Sequence, residues 1–327
     1  MKTIGVLTSG GDAPGMNAAI RAVVRTALYN GIDVYGIKRG YAGMIEGDFE
    51  KMKAGSVSDI MQKGGTYLLS ARCEEFKDVD GRKKALEKLQ KAGIEALVII
   101  GGDGSLRGAH IFYQEHGVPF IGIPGTIDND LAGTDFTIGF DTAMNNIVDA
   151  INKVRDTATS HERTFIIETM GRTTGYLTIM AGLAGGADAI LIPEKDFDID
   201  VICNKLTKRQ EEGRLHNIVL VAEGVGGDFK TNRDINESKA FSIGRMVADK
   251  TGQETRIIIL GHLQRGGSPT VADRIRASKM GWKAVDLLMD GKTDLMVGLD
   301  GNKLIYNGIE EILDHKQEID PELYALN

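Results

Sequence analysis

Two glycine turns carry carboxylates where a polyphosphate could be held. They are Thr8-Ser9-Gly10-Gly11-Asp12-Ala13-Pro14-Gly15 and Gly101-Gly102-Asp103-Gly104-Ser105. Each follows a short apolar run, Ile4–Leu7 and Ala96–Ile100, and each precedes a segment of helical periodicity. A buried strand, a glycine turn and a helix start aim backbone N–H groups at an anion. Glycine lets the main chain approach phosphate oxygens where a Cβ would collide. An Asp in each turn could hold Mg2+, so the pair points to a polyphosphate site. Neither turn is a Walker A loop, because no Gly-Lys-Ser/Thr follows. Neither fits the dinucleotide spacing G-x-G-x-x-G.

A third segment, Pro124-Gly125-Thr126-Ile127-Asp128-Asn129-Asp130, follows the strand-like run Phe120–Ile123. In open α/β sheets, ligands sit beyond the carboxyl ends of the strands. Asp128 and Asp130 would stand there at a cleft edge, and one carboxylate could take a proton from a substrate hydroxyl. The plainer alternative is an Asx turn whose carboxylates only cap backbone donors. Arginines recur at strand ends: Arg163, Arg172 in Met170-Gly171-Arg172, Arg256 ahead of a strand, and Arg265 in Gly261–Gly267. Guanidinium groups in such settings suit bidentate recognition of phosphate. His161 and His262 lack metal-ligand spacing, and Cys73 and Cys203 form no C-x-x-C pair, so structural zinc is not expected.

The elements that must position these residues are legible as alternation. Short unbroken apolar runs occur at Ile4–Leu7, Val34–Ile37, Leu97–Ile100, Phe120–Ile123, Phe165–Ile167, Ile190–Ile192, Ile218–Val221 and Ile257–Leu260. Strands buried on both faces have this composition. Helical patterns lie between them, at Asn17–Tyr29, Arg82–Lys91, Leu106–Glu115, Thr142–Arg155 and Ile243–Lys250. The expected fold is α/β, as two doubly wound three-layer α/β/α domains with the active site in the cleft between them. A break is expected near Gly139. Of 327 residues 42 are glycine, about 13% against a usual ~7%, without a collagen period, so the excess belongs to turns and ligand contacts. The net charge of −7 argues against a nucleic-acid or membrane-surface partner. No stretch approaches the ~18 apolar residues of a membrane span. The run after Met1-Lys2-Thr3 is too short for a signal peptide. A cytoplasmic protein is expected.

Together these motifs resemble the bacterial ATP-dependent 6-phosphofructokinase family. The carrying segments are Thr8–Gly15 (TSGGDAPG), Gly101–Ser105 (GGDGS), Pro124–Asp130 (PGTIDND), Met170–Arg172 (MGR) and Gly261–Pro269 (GHLQRGGSP), in the family's order. The resemblance implies phosphoryl transfer from ATP to the 1-hydroxyl of fructose 6-phosphate. It implies an ATP domain of residues 1–138 with about 264–314, and a sugar domain of 139–263 with about 315–327. Gly11, Arg72, Cys73, Gly102, Asp103, Gly104 and Ser105 would lie along ATP, with Asp103 on Mg2+. Asp128 would be the base, and Gly11, Arg72, Thr126 and Arg172 would assist the transfer. Thr126, Ile127, Met170, Gly171, Arg172, Glu223, Leu263 and Gln264 would line the sugar. His262 and Arg265 would bind its 6-phosphate, joined by Arg163 and Arg256 from a neighbouring subunit of a homotetramer.

Diphosphate-dependent relatives tend to carry Asp where this chain has Gly104 and Lys where it has Gly125. A non-catalytic nucleotide sensor would be expected to lack Asp128 or Asp103. The family's effector site, for ADP or phosphoenolpyruvate, would be built here from Arg21, Arg25, Arg155, Asp188 and Arg214. Two positions depart from its pattern: Ala54 stands where Arg is common and Glu212 where Lys is common. A weak effector response is therefore expected.

Overall fold

The computed structural model describes residues 1–226 and 238–326. The chain runs β1 (Thr3–Ser9), α1 (Met16–Tyr29), β2 (Asp33–Ile37), α2 (Tyr41–Glu46), β3 (Phe49–Lys51), a 3-10 turn (Glu75–Lys77), α3 (Val79–Ala92), β4 (Ala96–Gly101), α4 (Asp103–His116) and β5 (Phe120–Pro124). It continues as α5 (Phe140–His161), β6 (Thr164–Thr169), α6 (Tyr176–Ala184), β7 (Ala189–Leu191), α7 (Ile199–Glu211), β8 (Asn217–Ala222), α8 (Lys239–Thr251) and β9 (Thr255–Ile259). A second 3-10 turn (Gly261–Arg265) leads to α9 (Val271–Met289), β10 (Leu295–Asp300), β11 (Lys303–Gly308), α10 (Ile309–Asp314) and α11 (Pro321–Ala325).

Two compact units result. Met1–Thr142 with Arg265–Gln317 form the first, and Ala143–Gln264 with Glu318–Asn327 the second. The first holds a sheet of order β11-β10-β5-β4-β1-β2-β3. Its inner strands are parallel, and β3 and β11 pair antiparallel at the two edges. From β1 the chain winds outward to β2, and from β4 it winds the other way to β5. The strands β1 and β4 therefore flank a topological switch point, where such sheets bind ligands. Leu7, Leu97 and Ile99 face a core with Met44, Phe76, Leu89, Leu106 and Phe112 from α2, the 3-10 turn, α3 and α4. Alternate strand residues point to the opposite face. Helices α1 and α9 pack together there.

Helix α1 forms because Ile20, Val23, Val24 and Ala27 recur at helical spacing, and all four are buried. It ends where the Gly31 N–H reaches Leu28 O and the Ile32 N–H reaches Ala27 O, with Gly31 at φ 74°. The second unit holds a parallel sheet of order β7-β8-β6-β9.

Each of the eight expected runs falls in a strand, to within a residue. Strands β3, β10 and β11 were not expected. Phe49-Glu50-Lys51 is short and charged, and Lys303–Gly308 is an edge strand of mixed polarity, so neither reads as a doubly buried strand. Arg256 sits inside β9 rather than ahead of it, because the edge strand starts at Thr255.

Candidate active site

The register brings the three sequence turns together. Ser9 of β1 pairs with Gly101 of β4, and Gly101 pairs with Pro124 of β5. The turns after these strands thus leave side by side at one end of the first unit's sheet. Gly10 has φ 86° and Gly15, capping α1, has φ 112°, a region that disfavours side chains. At Gly11 an added Cβ would come 2.7 Å from Arg265 Nη1. The buried Arg265 guanidinium lies on this turn and donates to the Asp12 carbonyl at 3.0 Å.

Gly102 starts α4, and Asp103 is its first residue. The Asp103 carboxylate lies 3.5 Å from Arg107 Nη2, one turn along. A Cβ on Gly104 would meet nothing within 4 Å. Next to this turn, Gly125 N–H donates to Gly101 O at 3.0 Å. Asp128 is 1% exposed, so it is buried at the end of β5 rather than standing at an open edge. Its N–H donates to Thr126 Oγ1 at 3.2 Å, the local turn that Asx and Ser/Thr residues favour. Asn129, with φ 51°, accepts from Thr137 N–H at 2.8 Å. Thr137 Oγ1 donates to Thr126 O at 2.6 Å. These bonds pose the Asp128 turn stiffly.

A strap from residue 62 to 73 carries Arg72 and Cys73 past the β1 turn. Asn17, 3% exposed, donates to Lys63 O and Gly64 O and accepts from Tyr67 N–H at 2.6 Å. The buried Thr8 hydroxyl donates to Leu69 O at 2.9 Å, and Ser70 Oγ donates to Gly10 O at 2.6 Å. Arg72 is exposed, and Cys73 packs against the core, where burial pushes its thiol up. Below it, the Tyr41 and Phe76 rings stack at 3.9 Å, and Tyr41 O–H donates to Ser105 O at 2.5 Å. Arg82, 6% exposed, forks onto both oxygens of Glu115 at 2.6 and 2.7 Å and donates to Phe76 O and Lys77 O. Sequence reasoning missed Asn17, Tyr41 and Arg82. A polar residue inside an apolar helix face was the only signal, and only for Asn17.

In the second unit a separate cluster forms at the carboxyl ends of β6, β8 and β9. The Glu223 carboxylate accepts from Gly171 N–H at 3.2 Å and Arg172 N–H at 2.7 Å. Gln264, 1% exposed, accepts from Met170 N–H at 3.1 Å. Gly171 has φ 141° and Arg172 φ 53°, so the turn is a special conformation held by Glu223. His262 and Leu263 are exposed. Arg163 and Arg256 are not part of this cluster. They sit at the amino ends of β6 and β9, about 20 Å of strand away. There Glu254 pairs with Arg163 Nε at 3.0 Å and also with Arg256. The Arg163 bond holds the Glu254 carboxyl below its usual range.

Of the expected effector residues, Arg155, Asp188 and Arg214 share a neighbourhood around His216. Burial holds the His216 ring below its usual range, the three cations Arg155, Arg209 and Arg214 add to that, and Asp188 opposes it. Asp188 carries a load not expected: it pairs with Arg209 and accepts from Ile218 N–H at 2.7 Å. Nothing in the sequence marked Arg209, one of three cations on α7 with Lys205 and Lys208. Arg155 donates to Gly185 O and Gly186 O. Arg21 and Arg25 lie one turn apart on α1 in the first unit, and Arg25 is exposed. Among the described residues no group of three or more His, Cys, Asp or Glu gathers as a metal cage, and no helix is long and apolar enough to cross a membrane.

Residues 3–288 match the family model described as phosphofructokinase. An ATP-dependent 6-phosphofructokinase from Halothermothrix orenii is 67% identical over 326 residues, covering 100% of this chain and 98% of that one. One from Halalkalibacterium halodurans is 57% identical over 327 residues, with the same coverage. The phosphofructokinase structure from Saccharomyces cerevisiae superimposes with a TM-score of 0.89 at 36% identity. It covers 96% of this chain, which spans 45% of the yeast chain.

Proposed function

The chain belongs to the phosphofructokinase family, and we infer from that premise how its residues divide the reaction. The reaction moves the γ-phosphoryl group of ATP to the 1-hydroxyl of fructose 6-phosphate, giving ADP and fructose 1,6-bisphosphate. One observation supports the assignment of roles above the others: the register Ser9, Gly101, Pro124 sets the two phosphate-type turns and the Asp128 turn beside each other at a switch point.

The proposed roles follow from chemistry. Gly11 and Gly102–Ser105 present backbone donors and space to the ATP phosphates, with Arg72 and Cys73 alongside. Asp103 offers one carboxylate next to a helix start, which suits Mg2+ held mainly by nucleotide oxygens and water. When bound, that ion would neutralise charge on the phosphate oxygens. Thr126, Ile127, Met170, Gly171, Arg172, Glu223, Leu263 and Gln264 hold the sugar, and His262 and Arg265 its 6-phosphate. Asp128 takes the proton of the 1-hydroxyl. The freed oxygen bonds to the γ-phosphorus, the bond to the bridging oxygen breaks, and ADP leaves with the electron pair. Arg72 and Arg172 offset charge on the moving group, which is most of what such a transfer needs from protein.

We place Arg163 and Arg256 on the phosphate of a neighbouring subunit's sugar, in a cytoplasmic homotetramer. Their position at the opposite strand ends supports a role outside their own cluster. Arg21, Arg25, Arg155, Asp188 and Arg214 are assigned to an effector site for ADP or phosphoenolpyruvate. ATP rather than diphosphate is supported by two glycines. Gly104 leaves open space, and a side chain on Gly125 would crowd Ile100 and Met16 at about 3 Å. A coupled assay with fructose 6-phosphate, first with ATP and then with diphosphate, tests this. Turnover is expected with ATP, and equal turnover with diphosphate would overturn it.

A further inference from the structure

Asp273, on the first turn of α9, is fully buried. Its Oδ1 accepts from Gly139 N–H at 3.0 Å. Its Oδ2 accepts from Thr142 N–H at 2.8 Å and from Thr142 Oγ1 at 2.6 Å. Burial pushes this carboxyl above its usual range, and the three donors pull the other way. A buried charge of this kind survives only where such donors are fixed. The Thr142 hydroxyl also accepts from Thr270 N–H at 3.0 Å, and Thr270 Oγ1 donates to Asp141 at 2.6 Å. The network thus closes on residues 139–142.

That short segment braces both turns of the phosphate end. Thr137 holds Thr126 O and Asn129, as described above. Ile138 N–H donates to Pro124 O at 2.9 Å and bridges Gly125. Gly139 lies on the first turn: a Cβ there would come 2.6 Å from Ala13 and 3.2 Å from Pro14. Gly15 is equally tight, with 2.7 Å from its built Cβ to Ile138 and 3.5 Å to Asp273. Neither glycine has room for a side chain, so the backbone of segment 137–142 passes close against the Gly11 turn while its hydrogen bonds hold the Asp128 turn.

We propose that Asp273 is a positioning residue for phosphoryl transfer: it anchors segment 137–142, which holds the Gly11 turn and the Asp128 turn at a fixed separation. The proposal rests on the reading of Gly11 and Asp128 given above. Asp273 touches neither substrate. Its effect falls on alignment, where a displacement near 1 Å costs up to ~10²-fold in rate.

The test compares Asp273→Asn, Thr142→Val, Thr142→Ser and Asp128→Asn in the full chain. It measures kcat, both KM values and the thermal midpoint, with kinetics taken well below that midpoint. Asp273→Asn sets an amide N–H2 against a backbone N–H and should lower kcat about 10–100-fold, with both KM values within about threefold. Thr142→Val, which keeps the carboxylate and removes one donor, decides the matter if Asp273→Asn does not fold. It should lower kcat about threefold or more in the same direction, and Thr142→Ser should restore it. A lowered midpoint with unchanged kcat would mark Asp273 as a purely structural anchor and overturn the proposal. Asp128→Asn separates the two layers. If it keeps near-normal kcat the underlying reading fails, and if it is dead while the Asp273 and Thr142 variants are normal, only the positioning role fails.

Discussion

At the scale of single residues, Asp128 bears the sharpest expectation. Its carboxylate is 1% exposed on a turn pinned by Thr137 and Asn129, so the shape of the site does not depend on its charge alone. Asp128→Asn should therefore keep the fold and lower kcat at least ~10²-fold, with modest change in either KM. A variant with near-wild-type kcat removes Asp128 from the role of base. Arg163 and Arg256 make a different kind of contribution. Both are held by Glu254 at the amino ends of their strands. Changing either to Ser should raise the KM for fructose 6-phosphate and leave that for ATP nearly unchanged; a matching rise in both would count against a sugar-phosphate role. The Asp128 turn was legible because Pro124-Gly125 and two carboxylates follow a strand-like run, a pattern that an Asx turn shares. Glu223 was legible only through the family resemblance. Its observed work, accepting two backbone N–H groups, joins residues far apart in sequence, and no local pattern announces that.

At the scale of elements, unbroken apolar runs betrayed their strands, the edge strands β7 and β9 included, whereas β3, β11 and the interior β10 went unread. Ile4–Leu7 and Ala96–Ile100 are apolar at every position because helices cover both faces. By contrast β11 faces a neighbour on one side only, and its Lys303 and Asn307 read as loop. The same limit hid the bidentate Arg82–Glu115 pair, which ties the 3-10 turn to α4. Its bond to Arg82 holds the Glu115 carboxyl below the ordinary 4.5. The folded state thus binds that proton less readily than the unfolded chain. The stabilisation is fully present above pH about 4.5 and is lost as pH falls through the lower folded value. Wild type should therefore lose thermal stability between neutral and acid pH faster than Glu115→Gln does. Parallel curves for the two would mean that the pair contributes nothing measurable, as many exposed pairs do.

At the scale of the whole molecule, regulation should be muted. Glu212 reverses an expected positive charge and lies 3.8 Å from Lys208, and Asp188 is already engaged by Arg209 and Ile218. Phosphoenolpyruvate and ADP should shift fructose 6-phosphate saturation much less than the ~5–150-fold usual for allosteric coupling. A strong sigmoidal shift with phosphoenolpyruvate, reversed by ADP, would show that Arg155 and Arg214 suffice. Symmetry and subunit number are invisible to strand and helix patterns, whereas the discontinuous first unit has a consequence during synthesis. Strand β5 pairs on one side with β4 and on the other with β10. About 170 residues separate them in the chain, roughly 10–30 s of translation. Through that interval the newborn chain carries an open strand edge with Ile121 unpaired on its outer side, while residues 143–264 emerge in full. Such an edge invites pairing with another chain. On ribosomes stalled before Leu295 emerges, residues 143–264 should resist protease while 1–142 are cut, and equal protection of both would show that the sheet's centre closes without its last strands.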